Sequence, residues 1–97
     1  MTSARDLFAL VNRDRAKVLA APSSSVTAAR LFELLPRHPI VTIAGAMELL
    51  STTRPTATKA VTGLVEADVL IETSGKRRDR AFSYQRYLDV LRAGTEL

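Results

Sequence analysis

The chain has 97 residues, 46% of them hydrophobic, which is enough for one modest core and too little for two independent domains. Only 5% are aromatic and none is Trp, so Leu, Val, Ile and Ala must build that core, and packed helices suit them better than a large sheet. Cysteine is absent, which excludes disulfides, thiolate metal sites and a cysteine nucleophile and fits a reducing, cytoplasmic setting; the net charge of +4 suits a polyanionic partner.

Met1 to Leu10 carries Arg5 and Asp6 and no sustained apolar run, so the reading is of a soluble protein with neither a signal peptide nor a membrane span, and no membrane partner. From Ser3 to Ala20 the spacing predicts an amphipathic N-terminal helix, within a segment 1–21. Its inward side is read as Leu7, Leu10, Val11, Val18 and Leu19, with Phe8 at the edge, and its outward side as Arg5, Asn12, Arg13 and Lys17. Pro22 and the serines 23–25 break this helix. The same serines are N-cap candidates for a second helix, in which Ala28, Leu31, Phe32 and Leu35 recur at helical spacing until Pro36 stops it.

Pro39, Ile40 and Val41 are β-prone, and Thr42 is placed to cap a third helix through Ile43, Ala46, Met47 and Leu50. A polar turn, Ser51-Thr52-Thr53, leads into a fourth helix from Arg54, with Pro55 in its first turn and Thr53 placed to cap it. Its inward face is read as Ala57, Ala60, Val61, Leu64 and Val65. Two short helices joined this closely make a helix-turn-helix over residues 42–67, inside a three-helical core spanning 24–67. Val69, Leu70 and Ile71, a Ser74-Gly75 turn and the alternating residues 81–84 predict a hairpin over 69–84. Tyr87, Leu88, Val90 and Leu91 support a short C-terminal helix, 86–93, with frayed residues after it. The fold class is therefore mainly α with a small β-hairpin: a winged helix-turn-helix with an added N-terminal helix and a short C-terminal one.

In a winged helix the second helix of the motif enters the DNA major groove and the hairpin lies along the backbone or minor groove. An inward face at Ala57, Ala60, Val61 and Leu64 leaves Arg54, Pro55, Thr58, Lys59 and Thr62 outward, with Thr53 and Thr56 at the N-terminal tip. Arg54 can read guanine through two hydrogen bonds, the threonines can reach phosphate oxygens or a thymine methyl, and Lys59 suits a phosphate. The hairpin tip carries Lys76, Arg77, Arg78 and Arg80 against the single acid Asp79, a local net of +3 and a candidate contact for the phosphate backbone. Double-stranded DNA is the expected partner.

Catalytic constellations are missing. His38 is the one histidine, the acids are scattered singly, the serine run has no base near it and no glycine-rich phosphate loop occurs, so no cofactor, metal or active site is expected.

Residues 39–91 carry a resemblance: Pro39-Ile40-Val41-Thr42, the run from Ser51 to Ala57, Leu64 to Ile71, the wing from Ser74 to Phe82 and the closing Tyr87-Leu88-Asp89-Val90-Leu91. Together they resemble the C-terminal winged-helix domain that follows the catalytic domain in many bacterial Fic-family (filamentation induced by cAMP) proteins. The resemblance implies a non-catalytic module of a nucleotidyltransferase, since the His-Pro-Phe to Gly-Asn-Gly-Arg motif of Fic enzymes is missing; His38-Pro39 is followed by Ile40 and takes no catalytic role. It also implies an origin as part of a longer protein, with a free-standing transcription regulator as the other possibility. Thr52 stands where such turns often place an aliphatic residue, and Asp68 where the helix often ends in Gly, which predicts an irregular turn there. The competing reading is a protein-interaction, dimerisation or regulatory module without DNA binding, in which Leu7, Val11 and Val18 pair with a second copy or pack on a catalytic domain. The plainer alternative has that helix close the core.

Overall fold

The computed structural model describes residues 4–22, 25–75 and 80–95, as five helices and three strands. The elements are α1 (Ala4–Ala20), α2 (Val26–Leu34), β1 (Ile40–Thr42), α3 (Ile43–Leu50), α4 (Arg54–Glu66), β2 (Ile71–Glu72), β3 (Ala81–Ser83) and α5 (Gln85–Thr95). The strands form one antiparallel sheet in the order β1-β3-β2. Val41 and Glu72 flank Phe82 from either side, and Ile40 and Ile71 flank Ser83. The hairpin is thus not alone: β1 adds a third strand, and the Tyr84 amide donates to the Pro39 carbonyl at 2.7 Å just past its end. Helices and sheet follow one another in the winged helix-turn-helix order.

Two of the three caps read from the sequence form as expected. Ser25 accepts from the Ala28 amide at 3.0 Å and Thr42 from the Gly45 amide at 3.0 Å, each relieving one unpaired donor of a helix start. α2 lies at the centre, packed against α1, α3 and α4, and α1 also touches α5. Ala28, Leu31, Phe32 and Leu35 are all buried, against Ala46 and Leu50 of α3 and Ala57, Ala60, Val61 and Leu64 of α4. Alanines at the contact let α4 lie close to its neighbours, because interaxial distance is set by the side chains between. Val41 and Phe82 close the core from the sheet, with Val69 and Leu70 beside them.

Several sequence expectations about helix faces and ends need correction. Leu19 is 62% exposed and Phe8 70%, because Leu19 lies nine positions after Leu10, half a turn round the helix from its buried side. The place given to Leu19 on the buried side goes instead to an acid, Asp14, with no exposed surface. Val65 is also on the rim of the α4 face, 38% exposed. Finally, α5 runs on to Thr95, beyond the expected end near residue 93.

Neither helix of the motif ends irregularly. α3 closes with Ser51 in the left-handed region (φ 51°), the Ser51 amide bonding to Glu48 O and the Thr52 amide to Met47 O. α4 closes the same way: Asp68 has φ 63°, its amide bonds to Val65 O, and the Val69 amide bonds to Leu64 O at 2.9 Å. Both are Schellman closures, the geometry glycine usually serves, so Asp68 occupies the glycine conformation and the expected irregular turn does not occur.

Candidate nucleic-acid interface

The helix-turn-helix is fixed by its turn. Because Ser51 reverses the chain in one residue, only Ser51, Thr52 and Thr53 separate the end of α3 from Arg54. Thr53 is extended (φ −81°, ψ 163°) at the N-cap position, and its carbonyl accepts from Ala57 N at 2.9 Å. Its side chain does not cap the helix, contrary to expectation. The hydroxyl bonds instead to the Thr56 hydroxyl at 3.2 Å, which draws both groups to the exposed tip of α4. Pro55 has no N–H to satisfy, so the first turn tolerates it.

Along α4 the division into faces is, Val65 apart, the one the sequence indicates. Ala57, Ala60, Val61 and Leu64 are buried; Arg54, Pro55, Thr58, Lys59 and Thr62 are exposed, and Thr56 is half-buried. Gly63 is buried as well. Arg54, Thr58 and Thr62 follow at four-residue spacing and Lys59 lies beside them, so cations and hydroxyls share one outward face. The nearest acid on the helix is Glu66, in its last turn.

On the wing, the Thr73 amide bonds to Ala81 O at 2.9 Å and the Ser74 hydroxyl accepts from Ala81 N at 3.1 Å, which extends the hairpin beyond β2. Gly75 follows in the left-handed region, φ 65°. Lys76, Arg77 and Arg78 lie outside the described residues. Arg80 is exposed on the returning limb, with its guanidinium 3.7 Å from Glu72, a loose surface pair that contributes little to stability. Of the contact residues read from the sequence, those of α4 thus share one exposed face and Arg80 is exposed on the wing.

A contact that sequence reasoning missed supports the far end of α4. Arg86, in the first turn of α5, donates to the Asp68 carbonyl and to its carboxylate at 3.1 Å, and reaches Asp14 of α1 at 3.5 Å. One guanidinium therefore holds α1, α5 and the closure of α4 together. The available signal was Asp14 itself, an acid midway between Leu10 and Val18 on an apolar stripe; such an acid needs partners if it is buried.

Ser25 is the α2 cap, and His38 is exposed, with its backbone amide bonded to Leu34 O and Leu35 O. Among the described residues no three His, Cys, Asp or Glu side chains gather as a metal site, and no helix is long and apolar enough to cross a membrane. No protein-family model matches the sequence, and no curated protein matches it significantly.

Proposed function

We propose that this chain is a double-stranded-DNA-binding module, with α4 seated in the major groove and the wing on the phosphate backbone. One observation carries the reading: from Arg54 to Thr62 the exposed face of α4 holds two cations and two threonines and no acid, with Thr56 half-buried at its tip, behind a turn that leaves its N-terminus clear. Arg54 then reads a guanine edge, and Thr58 and Thr62 reach a thymine methyl or a phosphate oxygen. Lys59 neutralises a phosphate. The amides at the tip, beside Thr53 and Thr56, face a second phosphate with the positive end of the helix dipole. Lys76, Arg77, Arg78 and Arg80 give the sequence-independent part of the affinity.

The resemblance of residues 39–91 supports a parent of the Fic family, in which this module is the non-catalytic C-terminal domain of a bacterial, cytoplasmic protein. A reading frame continuous with Met1 and carrying a Fic motif upstream is the outcome expected; a frame without one removes that part of the proposal.

The DNA reading is tested by fluorescence anisotropy on a labelled duplex. Five neutralised phosphates, one at Lys59 and four on the wing, give a log–log salt slope of about −4.5, a loss of roughly 500-fold between 50 and 200 mM salt. Arg77→Glu with Arg78→Glu weakens binding at least several-fold at low salt. Unchanged affinity in that double variant overturns the proposal.

A further inference from the structure

α1 and α2 pack together without closing the space between them. A groove of about 670 Å³ is left, walled by Val18 and Leu19 of α1 and by Val26, Ala29 and Phe32 of α2. Leu19 and Val26 are 62% and 78% exposed at one end. At the other end Arg15 is clamped to Glu33 by two bonds, of 2.6 and 2.9 Å, with its guanidinium over the Phe32 ring. From Val26 to Glu33 the groove follows α2 for two turns, about 10 Å. These are the dimensions of a small-molecule site, which is mostly apolar and fixed by a few polar groups. A protein partner needs far more surface, on the order of 800 Å² from each side.

Charge selects the ligand. Three ionic side chains border the groove, and two of them, Arg15 and Glu33, neutralise each other. The third, Arg30, is exposed, and among the described residues no carboxylate pairs with it. It follows Val26 by four residues and so stands one turn along on the same face of α2. The apolar walls are thus bordered by one unbalanced positive charge. Ser25 adds a donor on the same helix: its oxygen accepts from the Ala28 amide at 3.0 Å, and its own proton is left to give.

We infer that the groove binds a medium-chain aliphatic monocarboxylate, with its hydrocarbon against Leu19, Val26 and Phe32 and its carboxylate on Arg30. A guanidinium suits a carboxylate because it offers two parallel donors to the two oxygens. An alkylammonium ion of the same length meets like charge instead. An uncharged hydrocarbon displaces water from Arg30 and gives it no partner in return. The site uses no residue of α4 or the wing and stands or falls apart from DNA binding.

Octanoate is the probe, titrated into the isotope-labelled 97-residue chain and followed by amide chemical shifts. For a ligand of this size the dissociation constant is expected on the order of 0.5 mM. Shifts should move in residues 15–19 and 25–33 and stay fixed in α4. Octylammonium should bind at least tenfold more weakly. Arg30→Gln should weaken octanoate binding about fivefold, as the loss of one exposed charge-assisted bond. Arg37→Gln, which removes a cation outside the groove, should leave the affinity unchanged. Ala29→Leu, which fills the space between the helices, should abolish the shifts with an unchanged circular dichroism spectrum; should that variant unfold, Arg30→Gln at an exposed position still decides. Octylammonium binding as tightly as octanoate, an unaltered affinity in Arg30→Gln, or no saturable shift up to 20 mM octanoate overturns the inference.

Discussion

The phenol of Tyr84 donates a 2.7 Å hydrogen bond to the carboxylate of Asp14, seventy residues earlier, and both side chains are fully buried. Tyr84 follows β3 directly and leads into α5, so this bond fastens the added N-terminal helix to the root of the wing. Its ring sits between Phe32 at 5.9 Å and Tyr87 at 5.4 Å, which holds the hydroxyl in line with Asp14. Arg86 and Lys17 approach the other carboxylate oxygen at 3.5 and 3.8 Å. A buried carboxylate deprived of its short bond keeps only those two longer contacts.

Tyr84→Phe, which removes one oxygen and leaves the packing, is therefore expected to destabilise the domain by about 1–3 kcal/mol. Asp14→Ala should cost a similar amount or more. The double variant should fall short of the sum by at least 0.5 kcal/mol, because the two residues share one interaction. Urea denaturation followed by circular dichroism gives all three values. Strict additivity would mean that the bond contributes nothing.

The same pair sets an alkaline limit. Burial first, then the hydrogen bond to Asp14 and its charge, raise the Tyr84 phenol far above its ordinary value. The unfolded chain releases that proton near pH 10 and the folded chain retains it, so above pH 10 the native state binds the extra proton. Stability from this group is complete below pH 10 and is lost as pH rises toward the folded value, by at most about 1.4 kcal/mol per pH unit. Urea midpoints between pH 8 and 11 should decline more steeply in the natural chain than in Tyr84→Phe. Parallel profiles would refute the assignment.

Ser51 and Asp68 make a second comparison. Both hold a left-handed backbone in which an L side chain costs energy that glycine does not. Ser51 is exposed, so Ser51→Gly is expected to stabilise by about 0.5–1 kcal/mol. Asp68→Gly should gain less, because it also gives up the carboxylate that Arg86 holds at 3.1 Å. Thermal unfolding of the two variants ranks them; a larger gain from Asp68→Gly would contradict the role given to Arg86.

What the sequence made legible was what depends on neighbours along the chain. The faces of α2 and α4, the caps at Ser25 and Thr42 and the order of helix, turn, helix and hairpin all follow from periodicity and local hydrogen bonding. The places where it misled are those where a partner lies far away in sequence or the angle round a helix was misjudged. Asp14 is buried because Tyr84 and Arg86 meet it from another element, and no local pattern announces them. Leu19 reads as core by its chemistry, while nine residues of rotation carry it to the outside. Asp68 takes the glycine conformation with Arg86 bound to its carbonyl and carboxylate, a contact visible only once α5 is folded onto α4. For the candidate interface, the face from Arg54 to Thr62 was readable because its four core positions are all apolar, whereas the hydroxyl pair Thr53–Thr56 depends on an extended backbone at Thr53 that composition does not reveal.

That hydroxyl pair separates structure from recognition within one class of substitution. Ser25→Ala and Thr42→Ala each remove a cap bond to a backbone amide and are expected to cost about 1 kcal/mol. Thr53 makes no such bond, so Thr53→Ala should leave the urea midpoint within a few tenths of a kcal/mol. On the proposed docking, the Thr53 hydroxyl stands at the tip of α4 with Thr56 and faces the DNA backbone. Thr53→Ala should then weaken duplex affinity two- to tenfold at fixed salt, while Ser25→Ala, remote from α4, lowers stability and leaves the affinity of the folded protein unchanged. Anisotropy titrations at 50 mM salt, well below each variant's unfolding temperature, make the comparison. If Thr53→Ala loses stability as Thr42→Ala does, the hydroxyl is a cap after all; if it keeps full stability and full affinity, the tip of α4 is not where this domain meets DNA.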